Sequence, residues 1–319
     1  MRRFKRYWPI FLLAVALFLP ALVSGYWLRV FTSALMFAVL AQGANIISGY
    51  AGCPALGNIV FFGVGAYGAA VLMTALKMPF LPALLLSGLI GMAYAVLLGV
   101  PVLKTRGHYF VMATIGLNDA THELVNNVDF LTQGSRGIAL PLPETGKIEL
   151  LTFFYFVMLA ILLATIFATW LMAKSRMGYA LKAIKSDDEA ARAVGINVTF
   201  YRVAAWAMSA FFTAMAGGAF AYWMTFIEPH VVFDIVMSVK MFIMMALGGA
   251  GTIIGPTLGA ILLELVSETV WGGFPQVHYL VLGAVLVAVV VLLPEGMTLL
   301  FGKGATLKTY RQRLKAGRL

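Results

Sequence analysis

The sequence predicts an all-α polytopic membrane protein, with about ten transmembrane helices and glycine-interrupted segments between some of them. Three observations predict it. Of the 319 residues 61% are hydrophobic and only 11% are charged, with a mean hydropathy of +0.92; a water-soluble domain carries about a quarter charged residues. Apolar runs recur from residue 9 to residue 294, and a run of about 18 residues or more crosses a hydrocarbon core of ~30 Å as a helix. The basic residues are gathered on one side of the predicted membrane, as the positive-inside rule requires.

The spans fall at 9–27, 30–48, 58–76, 80–102, 108–126, 150–173, 203–224, 235–248, 257–270 and 278–294. With the N-terminus inside, 18 of the 23 Lys and Arg residues lie inside: Arg2, Arg3, Lys5 and Arg6, then Lys104 and Arg106, six between 174 and 202, and six in the tail at 301–319. Arg29, Lys77, Arg136 and Lys147 fall outside, and Lys240 lies within a span. An even number of spans keeps both basic ends on the inner side. The first 25 residues have the basic start and apolar stretch of a secretory signal, but the apolar segment is long for one and another span follows at once, so it reads as a retained anchor. No second domain is expected: residues 1–319 form one membrane unit.

The net charge of +10 has the distribution of membrane sidedness, so a nucleic-acid partner is not expected. The single cysteine, Cys53, forms no intrachain disulfide, and no Cys/His spacing resembles a metal site. No nucleophile has a base at a legible spacing, and no catalytic residue is expected.

Two junctions are rich in glycine rather than in polar residues: SGYAGCPALGN at 48–58 and GGAGTIIGPTLGA at 248–260. Irregular backbone near membrane depth survives only where protein or a watery cavity satisfies it, and interrupted segments point to a substrate path in transporters. The first junction reads equally as path lining or close packing, the second rather as packing. Thr114, Asn118 and His122 recur at four-residue spacing on one face of the fifth span, and Asp119 and Glu123 on the neighbouring face. Ionisable groups at that depth are functional candidates. The expected translocation path therefore holds Asn45, Tyr50, Gly52, Gly57, Asn58, Thr114, Asn118 and Asp119. Lys240 and Glu264 have matching depth in the eighth and ninth spans and are expected to pair.

The longest inner loop, 174–202, is helical in composition and carries the charged island SDDEAARAVGI at 186–196. Ser186 with Glu189 reads as a capping box, and the acids Asp187, Asp188 and Glu189 suit the first turn of a helix. Gly195 closes the helix as a C-terminal glycine.

The stretch EAARAVG has the E-A-A-x-x-x-G spacing of the cytoplasmic loop of bacterial ABC importer permeases. The longer string from Ser175 to Gly218 resembles the corresponding segment of the high-affinity branched-chain amino-acid permeases, M-type subunit. GYAGCPALGNIVFFGVGAY, GHYFVMATIGLNDA, LTQGSRGI and GGAGTIIGPTLGA resemble further segments of that family, in its order. The resemblance implies the pore subunit of an importer in the bacterial inner membrane, with both termini cytoplasmic. Its implied partners are a second, H-type permease, two ATPase subunits, a solute-binding protein and membrane lipid. It makes the island a coupling helix, with Asp187, Asp188, Glu189, Ala190, Ala191, Arg192 and Gly195 meeting the ATPase. The chain has no G-x-x-x-x-G-K-[ST] phosphate loop, so no cofactor is expected on it; ATP and Mg are expected on the partner subunits.

The departures from the family bear on the solute. Cys53, Ala55 and Asn58 stand where the family commonly has Gln, Ser and His; Gln133 replaces Gly, Arg136 replaces Asn or Asp, and Asp119 replaces Glu. Urea or short amides are the alternative cargo. A proton-coupled secondary transporter is the rival mechanism, and it gives no reason for the loop signature.

Overall fold

The computed structural model describes residues 16–20, 23–105, 107–141, 147–273 and Gly283. The basic start, Arg106, the predicted tenth span at 278–294 except Gly283, and the tail at 301–319 lie outside the described residues. So does most of the first predicted span, of which residues 16–20 are helical.

The described chain is mostly helical. Its principal helices are α1 (Gly25–Ala44), α2 (Val60–Thr74), α3 (Phe80–Val102), α4 (His108–Asn127), α5 (Lys147–Lys174), α6 (Arg176–Ser186), α7 (Asp188–Ala193), α8 (Val198–Met224), α9 (Ile235–Gly248) and α10 (Gly255–Gly273). Among the described residues, five helical segments are long and apolar enough to cross a membrane: Gly25–Tyr50, Phe80–Val102, Ile148–Lys174, Val198–Met224 and Pro229–Gly248. Each predicted span from 58 to 270 coincides with a helix, but only four of these seven are among the five membrane-length segments, so the count of ten spans is not established; one boundary before them is corrected. The predicted first span ran through residue 27, but Ser24 is extended and α1 begins at Gly25, so Arg29 lies within α1 rather than in a turn. An apolar run does not show where one helix stops and the next begins when both are oily.

Helix α8 is the centre of the bundle. It packs along α3 and α2, while α1 lies between α5 and α10, and α9 packs on α10. The closest crossings use glycine. A methyl group at Gly65 of α2 would overlap the backbone of Ala214, and one at Gly217 of α8 would overlap the backbone of Phe62. Lipid supplies no hydrophobic drive between helices, so the gain comes from backbones approaching this closely. Around the crossing sit Phe61 and Trp206, whose rings meet edge to face at 5.2 Å.

Polar junctions lie at the two ends of the bundle. At one end, a two-residue ribbon pairs β1 (Ile138–Ala139) with β2 (Phe226–Ile227), antiparallel. Beside it the LTQGSRGI loop folds on itself: the Thr132 hydroxyl bonds the carbonyls of Val125 and Val128, and Gln133 and Gly134 take positive φ. At the other end stand α6, α7 and both glycine junctions.

The predicted ion pair is present. Lys240 Nζ lies 2.6 Å from Glu264 Oε2, and Ser33 donates to Glu264 Oε1 at 2.8 Å. The Lys240 ammonium also stands 4.2 Å from the Phe37 ring centre. One charge cluster thus joins α1, α9 and α10.

Candidate functional site

The charged loop folds into two short helices. In α6, Leu181 and Ile184 are buried and Lys182 and Lys185 are exposed. The chain breaks at Asp187, where φ −158° and ψ 115° are extended, and α7 begins. Here the capping box is corrected. Ser186 stays in α6, donating to the Lys182 carbonyl, and Asp187 is the cap: its Oδ1 accepts from the amides of Glu189 at 2.9 Å and Ala190 at 3.0 Å. A carboxylate at this position satisfies two orphan donors and meets the positive end of the helix dipole. Glu189 is therefore not a reciprocal cap, and its exposed side chain projects from the first turn.

Gly195 closes α7 as expected. Its φ is +85°, its amide donates to Arg192 O at 2.9 Å, and the Ile196 amide donates to Ala191 O at 3.0 Å. That is the paired bonding of a Schellman end, with Ile196 packed against the small apolar cluster of Ile184, Ala191 and Val198. Asp188 faces back toward the bundle, 3.4 Å from Arg202 and 3.6 Å from Arg192. These pairs orient α7 more than they stabilise it. Asp188 and Arg202 line a cavity of about 230 Å³ with Gly52, Cys53, Pro54, Leu103, Thr105, Gly107 and Phe110. Burial raises the pKa of the Cys53 thiol in its wall.

The two glycine junctions are one structure. Helix α1 ends in a π-helical turn, Asn45–Tyr50, which packs on the 249–253 segment. Asn45 Nδ2 donates to Thr252 O at 2.8 Å while its Oδ1 accepts from the Gly251 amide at 2.7 Å. Gln42 donates to Ile253 O at 2.9 Å. These side chains satisfy the backbone that glycine leaves irregular, as burial demands.

The same geometry shows how several predicted path residues are held. Asn45 and Asn58 are fully buried, and each amide is occupied at both ends by protein. Asn58 donates to Ser209 at 3.2 Å and accepts from Trp206 Nε1 at 3.0 Å. Thr114 accepts from the Gly57 amide and donates to Val111 O, and a side chain at Gly57 would overlap the Thr114 backbone. Tyr50 is buried, and Gly52 lies under the charged loop. The polar side chains among them, Asn45, Asn58 and Thr114, bond neighbouring segments in this structure. Asn58→Leu strands the Trp206 N–H and lowers stability by about 1–3 kcal/mol. It is expected to lower the thermal midpoint of the detergent-solubilised protein; an unchanged midpoint returns Asn58 to a path role.

Asn118 and Asp119 differ from that group. Asn118 donates to Phe233 O at 2.9 Å, but its buried Oδ1 has no partner within the described residues. Asp119 and Glu123 share the exposed face of α4 with Gly116, as the spacing predicts, and His122 lies half-buried against Phe233. Sequence reasoning passed over Gln42, Ser209, Trp206 and Lys185. Trp206 and Ser209 carry no pattern, but Lys185, the residue just before the predicted cap Ser186, was a visible signal.

A family model described as the branched-chain amino acid transport system / permease component matches residues 26–290. The high-affinity branched-chain amino acid transport system permease protein LivM of Salmonella typhimurium is 28% identical over 90% of this chain and 73% of its own length, and that of Escherichia coli is equally similar. The corresponding protein LivH of Salmonella typhimurium is 24% identical over 82% of this chain and 90% of its own length. No solved structure matches significantly. The match spans most of the bundle, both glycine junctions and the charged loop, and the chain belongs to the family of branched-chain amino acid transport system permease components.

Proposed function

We propose that this chain is the pore-forming, non-catalytic subunit of a bacterial ABC importer that carries branched-chain amino acids or similar small solutes inward. It crosses the inner membrane about ten times as one domain, with both termini cytoplasmic. It works beside an H-type permease, two ATPase subunits that hold ATP and Mg, and a solute-binding protein. The observation that carries this reading is the α6–α7 pair, a capped and exposed charged surface at one end of an apolar bundle. A solvated connector needs no capped helix held back against the bundle by Asp188 and Arg202. Asp187, Asp188, Glu189, Ala190, Ala191, Arg192 and Gly195 form that surface or its ends.

The path reading moves to the exposed face of α4. Asp119 and Glu123 are costly against lipid, and a second permease closing over them leaves a wet seam. The unpartnered Asn118 Oδ1 stands on the adjoining face. Urea or short amides are the alternative cargo, supported by the apolar Cys53 and Ala55 in the first junction.

Sidedness tests this reading. With Cys53→Ala as background, Asp188→Cys is expected to escape an impermeant thiol reagent in intact cells and to react in inside-out vesicles. Gln133→Cys is expected to behave oppositely. Labelling of position 188 in intact cells overturns the proposed orientation.

A further inference from the structure

We infer that Lys185 is the positioning residue that links the charged loop to both glycine junctions and so passes movement of the loop into the membrane helices. The inference rests on the proposal that α7 docks on an ATPase.

Lys185 lies in the last turn of α6, two residues before the break at Asp187. Its Nζ donates to Gly49 O at 2.7 Å. Gly49 belongs to the π-helical turn that ends α1, where carbonyls lack intrahelical partners and the helix dipole is negative. An ammonium there makes a charge-assisted bond, about twice as strong as a neutral one.

Three glycines clear the space for it. The Lys185 stem crosses Gly52, where a Cβ would sit 2.9 Å from Lys185 Cγ. A Cβ at Gly251 would sit 3.1 Å from Gly49 O and 3.7 Å from Lys185 Nζ. A Cβ at Gly49 would sit 2.6 Å from the Gly251 amide nitrogen. Gly52 and Gly251 also take positive φ, +71° and +84°, which glycine adopts at little cost. The ammonium therefore stands where the loop, the end of α1 and the α9–α10 junction meet.

From Gly49 the connection continues without a gap. Asn45, one turn back, holds the Gly251 amide and Thr252 carbonyl, and Gln42 holds the Ile253 carbonyl. The buried face of α6, Leu181 and Ile184, prevents the helix from sliding independently of the bundle. A displacement of α7 turns α6 about the Asp187 break and moves Lys185 against the Gly49 carbonyl. This chain of contacts is a physical route, and it becomes a coupling only if substitution changes the work done at the other end.

The test uses the assembled importer in vesicles with its ATPases and binding protein, and radiolabelled leucine as probe. Lys185→Met keeps the stem and removes the donor. It is expected to keep the ATPase subunits in the purified complex and to hydrolyse ATP, while leucine moved per ATP falls about tenfold or more, the effect of one charge-assisted bond. Lys185→Arg, which can reach the same carbonyl, is expected to recover most of that ratio. Gly251→Ala leaves the lysine in place and crowds its acceptor; it is expected to lower the same ratio. Normal leucine moved per ATP by Lys185→Met overturns the inference. So does loss of the ATPase subunits from that variant, which makes Lys185 a docking charge. If Glu189→Ala and Gly195→Val also leave assembly and coupling untouched, the docking proposal fails as well; if they disrupt it while Lys185→Met does not, only the Lys185 inference fails.

Discussion

Glu264→Ala is expected to leave little folded protein after extraction into detergent. The substitution removes the partner of Lys240, whose ammonium lies 2.6 Å from the carboxylate on a largely buried α9 position. Breaking a buried pair by removing one partner costs about 3–5 kcal/mol, because the remaining charge is uncompensated. Phe37 and Ser33 do not replace it: the ring offers a weaker attraction, and the Ser33 hydroxyl, which loses its acceptor, carries no charge. The double change Lys240→Met with Glu264→Met is expected to restore most of the stability, since two apolar side chains of similar length need no solvation in this interior. Monodisperse yield and thermal midpoint after solubilisation read both outcomes. Equal yields for wild type and Glu264→Ala would show that lipid headgroups or water neutralise Lys240.

Gly65→Val is expected to separate α2 from α8. A side chain at this position overlaps the backbone of Ala214, and backbone cannot move aside as a flexible side chain can. The cost exceeds the about 1–3 kcal/mol typical of an overpacked core. Gly217→Val meets the Phe62 backbone from the other side and is expected to be as severe. Gly116→Ala on α4 is the control: nothing lies within 4 Å of its added methyl, and a helix gains about 0.5–1 kcal/mol from alanine in place of glycine. A thermal midpoint for Gly65→Val equal to that of Gly116→Ala would mean that the two backbones do not touch in the membrane.

The legible parts of this molecule share a property. Helix positions, the Lys240–Glu264 pair and the Gly195 helix end follow from local spacing or from depth along a span, and both can be counted along the chain. Direction is harder to count. Asn58 and Asn118 look alike in the sequence, being amides in apolar surroundings, yet Asn58 is filled by Trp206 and Ser209, about 150 residues away in sequence, while Asn118 Oδ1 has no partner among the described residues. The two glycine junctions sit some 200 residues apart, and no local pattern joins Asn45 to Thr252. The cap was misplaced by one residue because Ser186 and Asp187 are both good caps. The choice between them depends on where α6 ends, and that depends on its packing against the bundle.

On the proposed function, the charged loop couples ATP hydrolysis to solute movement. Leucine uptake into vesicles that hold the complete importer, measured beside ATP hydrolysis, tests it most directly. Glu189 projects from the first turn of α7, and Gly195 holds φ +85°, where a β-branched side chain is strained by about 1–2 kcal/mol or more. Gly195 stands clear of the bundle: no heavy atom lies within 4 Å of a Cβ added there. Both Glu189→Ala and Gly195→Val are predicted to abolish ATP-driven uptake while the membrane bundle stays folded. Full uptake by both variants would contradict the account and leave the loop as a solvated connector.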